Sequence, residues 1–121
     1  TKSTLSATLT TALTTAGGFA NSGVAGYFAG GFDTVNVSGI DKITFPADTK
    51  TTLSATLSSA RRETAAMADS GVAGYVAGGF DSGYISGIDK ITFSADTKST
   101  LSATLTSVRY GPAGFADCGV F

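Results

Sequence analysis

Histidine and tryptophan are missing from this chain, and its 121 residues hold one cysteine, Cys118, and two prolines. Each absence removes a class of chemistry. Without histidine or a second cysteine there is no zinc site of the usual kind, no Ser/His/Asp triad, no haem ligation and no disulfide within the chain. Charge is also scarce: 14% of residues are charged, against about 25% in an ordinary globular domain. Eight Lys and Arg against nine Asp and Glu leave a net charge of −1. Phosphate-binding surfaces need concentrated positive charge, so nucleic acid is not an expected partner. The apolar runs are a handful of residues long, which gives no membrane-inserting segment. What the chain has instead is small residues, 16 of them Gly, with 42% hydrophobic positions, a profile that argues against disorder.

The most informative property is repetition. Shifting the sequence by 48 residues superposes residues 23–70 on 71–118 with 33 of the 48 positions identical. GVAGYFAGGFD is answered by GVAGYVAGGFD, and SGIDKITFPADTKTTLSATL by SGIDKITFSADTKSTLSATL. Residues 1–22 repeat the second half of the unit, and residues 119–121 begin another copy. The chain therefore reads as one repeat domain of about two and a half units, and a period of this length marks solenoids, propellers or arrays.

Within a unit the signals are those of strands. Residues 71–80 form a short apolar stretch ending in Gly78-Gly79; residues 88–93 alternate Ile91 and Phe93 against Lys90 and Thr92; residues 99–105 are Thr-rich around Leu101; residues 61–69, like 13–21 and 109–117, are rich in Ala or Gly. Four short strands per unit predict an antiparallel meander, with turns at Asn21-Ser22-Gly23, Asp69-Ser70-Gly71 and Asp117-Cys118-Gly119. The Thr- and Ser-rich stretch 4–15 is the nearest competitor for a helix, and those residues are poor helix formers. A four-stranded sheet cannot bury both of its faces alone, so neighbouring copies must cover it, as in a β-propeller. The small-residue strand at 61–69 suits the innermost, most crowded position.

This pattern resembles the kelch repeat of β-propellers. The matching residues are an apolar stretch closing in a double glycine (Gly30-Gly31, Gly78-Gly79), a following Ile/Asp/Lys/Ile strand, a polar Asp-Thr turn, and an Arg before the next small-residue strand. The wording GYxAGGFD, SGIDKITF and ADTKSTLSATL is similar to tandem repeats in proteins of cyanobacteria and their phages, including tail-fibre-like proteins. The resemblance implies an all-β chain of kelch-like β-propeller blades. It departs from kelch units in lacking Trp and in holding Ile43 and Ile91 where a Tyr is usual, which predicts an aliphatic blade core. Two and a half units cannot close a ring of four to eight blades, so the chain is expected to be a portion of a longer repeat protein, and an open edge strand at either end invites pairing with another chain.

The two full copies differ mainly at 34–37 against 82–85 and at 58–67 against 106–115. In a meander these connections leave the sheet at one end, and loops on a rigid scaffold are where binding resides. Asn36, Arg61, Arg62, Glu63, Tyr84, Arg109 and Tyr110 are therefore the expected ligand or partner contacts, with Arg and Tyr offering planar donors and an aromatic platform. Asp41-Lys42 and Asp89-Lys90 point to opposite faces of a strand and cannot converge on one substrate; a cross-blade salt bridge or a solvated edge is expected of them. Asp33 and Asp81 follow the double glycine, yet no D-x-D-x-D-G loop makes them a calcium site. Cys118 stands in a turn where Ser22 and Ser70 stand in other copies, and Asn36-Val37-Ser38 matches a glycosylation tripeptide. No catalytic, metal or cofactor residue is expected: Glu63 is the sole Glu, and the Asp residues recur between copies rather than forming an asymmetric acid/base set.

The functional expectation is a non-enzymatic structural and recognition module of a virion or cell surface, binding a host glycan or protein through its loops. Further repeats of the same protein, or a homo-oligomer, are expected as partners. An intracellular scaffold docking a partner protein is the alternative, and a glycan-cleaving propeller enzyme a minor one.

Overall fold

A computed structural model of the protein describes residues 1–109 and 111–114. Among these residues the regular structure is entirely β: β1 (Gly17–Asn21), β2 (Ala25–Ala29), β3 (Phe32–Asp33), β4 (Val35–Asn36), β5 (Ile40–Thr44), β6 (Thr49–Thr52), β7 (Ala65–Asp69), β8 (Ala73–Ala77), β9 (Ile88–Thr92) and β10 (Thr97–Thr100). They form two four-stranded antiparallel sheets, β1-β2-β5-β6 and β7-β8-β9-β10, with β3 and β4 as a small separate hairpin. Each four-stranded sheet is a meander, as the repeat predicts. No helix forms over 4–15, where Thr and Ser lose side-chain freedom and compete for backbone hydrogen bonds.

The 48-residue period is a period of the backbone. The N–H of Gly30 donates to Gly39 O and that of Gly78 to Gly87 O; Leu53 donates to Ile40 O and Leu101 to Ile88 O; Arg61 donates to Val37 O and Arg109 to Ile85 O. Gly30 and Gly78 take φ of 66° and 64°, and a Cβ on either would lie 2.6 and 2.9 Å from the carbonyl oxygens of Arg61 and Arg109 respectively. Only glycine meets both demands, left-handed φ and close backbone approach.

Element ends differ from the sequence expectation in places. The outer strand lies at 97–100 rather than 99–105, paired with β9 from Thr97↔Thr92 to Thr100↔Asp89. Beyond it the N–H groups of Leu101 and Leu105 reach Ile88 O and Ser86 O, a four-residue spacing that arches the chain instead of extending it. The small-residue strand begins at Ala65, and residues 61–64 are held by an Arg62↔Phe80 bridge instead. Within 1–22, β1 is the one strand; Thr14 adds a single bridge to Phe32.

Alternation in β1, β2 and β5 turns Phe19, Ala25, Tyr27, Ala29 and Ile40 towards the second sheet, where they meet Ala68, Val76, Ile91 and Phe93. The expected aliphatic core is thus corrected. Three rings stack at its centre: Phe19 on Tyr27 at 5.1 Å, Tyr27 on Phe93 at 5.2 Å and Phe19 on Phe93 at 6.2 Å between centroids. Aromatic pairs of this kind contribute about 0.5–1.5 kcal/mol each beyond the area they bury. The sheets meet through β1 with β7 and β8. A Cβ on Gly17 would come within 2.7 Å of Thr64 Oγ1 and 3.3 Å of Ala66 Cβ, so small residues in this strand are what lets the sheets close up.

Candidate recognition site at one end of the sheets

Phe32 and Phe80 follow the double glycines of successive units, and Arg62 lies between them, its guanidinium carbon 5.0 Å from the Phe32 centroid and 4.7 Å from that of Phe80. The backbone fixes the arrangement: Arg62 N–H donates to Phe80 O at 3.1 Å and Phe80 N–H to Arg62 O at 3.0 Å. Asn36, in β4 of the first unit, reaches across to the second, where its Nδ2 donates to Phe80 O (3.2 Å) and Asp81 O (2.8 Å). Its Oδ1 accepts from Arg62 Nη1 at 3.0 Å. Glu63 Oε1 is 3.6 Å from Arg62 Nε, and Tyr84 packs edge-on to Phe80 at 5.6 Å. Arg62, Glu63, Phe80 and Tyr84 line a shallow cleft of about 170 Å³, with Tyr84 53% exposed at its rim.

Four of the seven expected contacts, Asn36, Arg62, Glu63 and Tyr84, are brought together here. Arg61 is not among them. It is 1% exposed, and its Nη2 donates to Asp89 Oδ2 at 2.9 Å and to Val76 O at 3.2 Å. Burial lowers the Arg61 pKa, with Asp89 pulling the other way. Arg109 is exposed and donates to Ser107 Oγ at 2.9 Å rather than into the cleft. Tyr110 and Cys118 lie outside the described residues. The amide nitrogen of Asn36 is engaged twice as a donor, which sets its place in the glycosylation tripeptide against a structural role.

The repeated Asp-Lys pairs divide as adjacent strand residues must, but not onto a solvated edge. Asp89 is fully buried and accepts Ser58 N–H and Oγ at 2.7 and 2.9 Å and Thr100 Oγ1 at 2.7 Å, besides Arg61. Burial pushes its carboxyl up, and these donors together outweigh that and hold the pKa below the ordinary value. Asp41 repeats the arrangement with Thr10 N–H, Thr10 Oγ1 and Thr52 Oγ1 at 2.7, 2.8 and 2.7 Å, again with a lowered pKa. On the opposite face Lys42 makes a cross-sheet salt bridge to Asp96 Oδ2 at 2.7 Å, while Asp96 Oδ1 accepts the Tyr27 hydroxyl at 3.0 Å. Asp81 caps the turn after Phe80 by accepting the N–H groups of Ser82 and Gly83, which lower its pKa. No group of three or more Cys, Asp or Glu side chains among the described residues is placed to hold a metal ion.

Sequence reasoning missed the phenylalanines of the cleft and the buried carboxylates. The signal for the first was the recurrence of Phe-Asp after each double glycine. For the second it was the place of Asp89 on the strand face that carries Ile91 and Phe93, and its recurrence as Asp41. No family model matches this chain, and no curated protein matches it.

Proposed function

We propose that this chain is a non-enzymatic recognition module built of kelch-like propeller blades, carried on a virion or cell surface and binding a host glycan or protein through the cleft around Arg62 and Tyr84. One observation carries the reading: residues at which the two near-identical copies differ converge on a single cleft, joined across the unit boundary by Asn36. A half-exposed phenol ring, a planar guanidinium and the Glu63 carboxylate offer stacking, donors and an acceptor within one small concavity, the combination that sugars and peptide side chains require. Catalysis finds little support, because Asp41 and Asp89 are buried in structural hydrogen bonds and Glu63 is paired with Arg62.

Glycan-array binding followed by titration with the best ligand tests the proposal. Tyr84→Ala removes the exposed ring and is expected to weaken binding roughly tenfold, the scale of one stacking contact in a partly desolvated site, with the melting temperature little changed. Binding unaffected by this substitution would place the ligand elsewhere. A protein ligand with no glycan binding would favour the scaffold reading.

A further inference from the structure

Phe32 and Phe80 lie over the Arg62 guanidinium at 5.0 and 4.7 Å, so its flat faces are taken and a ligand in the cleft must meet its edge. Arginine carries its N–H donors in one plane. Nη1 donates to Asn36 Oδ1 at 3.0 Å, whereas the N–H groups of Nη2 have no acceptor among the described residues. The cleft therefore holds donors in reserve. Beside them Glu63 Oε1 is 3.6 Å from Arg62 Nε, close enough for an ion pair and too far for a hydrogen bond. Among the described residues no N–H or O–H donates to this carboxylate, so acceptors are in reserve as well.

Charge decides what these reserves suit. Glu63 offsets Arg62, and Asp33 and Asp81 directly follow the two phenylalanines, so the cleft has no surplus of positive charge to hold an anion. A carboxylate ligand on the guanidinium edge would be repelled by Glu63. A hydroxyl fits the pair better, because its oxygen accepts from the guanidinium while its proton goes to the carboxylate. Neighbouring hydroxyls on one saturated ring supply two such groups side by side, and the C–H face of that ring has Tyr84 to rest on, edge-on to Phe80 and 53% exposed. Size agrees. The cleft, about 170 Å³, is smaller than the about 300–1,000 Å³ of a pocket for drug-sized ligands, so a single ring fills it.

We propose that the cleft takes one uncharged pyranose unit of a glycan, held through neighbouring hydroxyls by the Nη2 edge of Arg62 and the Glu63 carboxylate, with its C–H face against Tyr84. This rests on the cleft being the recognition site, and it makes Glu63 the residue that sets specificity for uncharged sugars. Asn36, Phe32 and Phe80 act through Arg62, as positioning residues.

Amide chemical shifts of the isotopically labelled 121-residue chain test this, with the methyl pyranosides of glucose, galactose and mannose as neutral probes and glucuronate as the acidic one. At least one neutral probe is expected to move the amides of Glu63, Asp81 and Tyr84, and glucuronate to bind no tighter than methyl glucopyranoside. Glu63→Gln gives the sign: it should weaken neutral binding roughly tenfold, the scale of one charge-assisted hydrogen bond, whereas a ligand held by its own carboxylate would bind tighter. The Arg62–Glu63 pair is partly exposed, so its loss costs the fold little; unshifted amides in β8 and β9 check this, and if they shift, the comparison of probes decides. Glucuronate bound more tightly than its neutral counterpart, or neutral binding that Glu63→Gln leaves unchanged or strengthens, overturns the inference and leaves the cleft as the recognition site. Probes that move none of these amides overturn it too. A protein ligand weakened by Tyr84→Ala would then keep the cleft and replace the sugar, while a ligand indifferent to Tyr84→Ala would remove the recognition site as well.

Discussion

The guanidinium of Arg61 donates to Asp89 Oδ2 at 2.9 Å, with the two side chains 1% and 0% exposed. Arg61 belongs to the connection that leaves the first sheet and Asp89 to β9 of the second, so this pair and the Ser58 bonds to the same carboxylate fasten one unit to the next. Both charges are withdrawn from water, and each therefore depends on the other.

Removing one partner should be costly. Arg61→Leu, which installs the residue found at position 13, strands the Asp89 carboxylate, and unpaired buried charges typically cost about 3–5 kcal/mol. Ser58 and Thr100 still solvate Asp89, so a loss near the lower end, about 3 kcal/mol, is expected by urea denaturation. A loss below about 1 kcal/mol, the scale of an exposed pair, would mean that the guanidinium does not compensate the buried carboxylate.

The pH dependence follows from groups whose pKa differs between folded and unfolded chain. Asp41 and Asp89 have lowered folded pKa values; their contribution is complete above the unfolded value, about 4, and is lost as pH falls through the folded one. Lys42 and Tyr27 have raised values, Lys42 through its bond to Asp96, and Tyr27 through burial and then Asp96. Their contribution is complete below the unfolded values, about 10, and is lost at higher pH. With no histidine, the urea midpoint should be level between about pH 5 and 8 and fall on both sides. A step near pH 6 would contradict this assignment.

Gly74 lies against the ring of Phe19, and a Cβ there would run into it. Gly74→Ala should destabilise the protein by about 1–3 kcal/mol, the usual range for overpacking. Adding Phe19→Leu should make the alanine nearly neutral relative to Phe19→Leu alone. If the two losses simply add in thermal denaturation, the ring is not what occupies that space.

Asn36→Ala removes two donor bonds to Phe80 and Asp81 carbonyls and the acceptor for Arg62. A loss of about 1–2 kcal/mol is expected, with hydrogen exchange at the amides of residues 80–85 speeding more than at those of β8. Uniform exchange changes would show that Asn36 does not brace that loop.

Much of the architecture could be read along the chain because it is set locally. The Asx-Gly turns at Asn21-Gly23 and Asp69-Gly71 form as their residue types require, with Val24 and Val72 N–H closing them onto Asn21 and Asp69 carbonyls. Alternation in IDKIT identifies the two faces of β5 and β9. The outer strand begins two residues and ends five residues before the expected 99–105, because STLSATL alternates well enough to extend, whereas the Leu101 and Leu105 N–H groups find acceptors at Ile88 and Ser86.

What covers a face is another matter. Arg61 and Arg62 are neighbours in one polar, variable stretch, and nothing near them separates the one that is buried from the one that lines the cleft. The difference lies in Asp89, 28 residues away, and in Phe32 and Phe80, which approach only when the two units stack. The aromatic triad draws Phe19, Tyr27 and Phe93 from three different units in the same way. By itself the sequence determined the period, the strand order and the turns, since these depend on neighbours a few bonds apart. Tertiary packing decided which charges are buried and which side chains meet, because the partners that offset desolvation come from a different repeat.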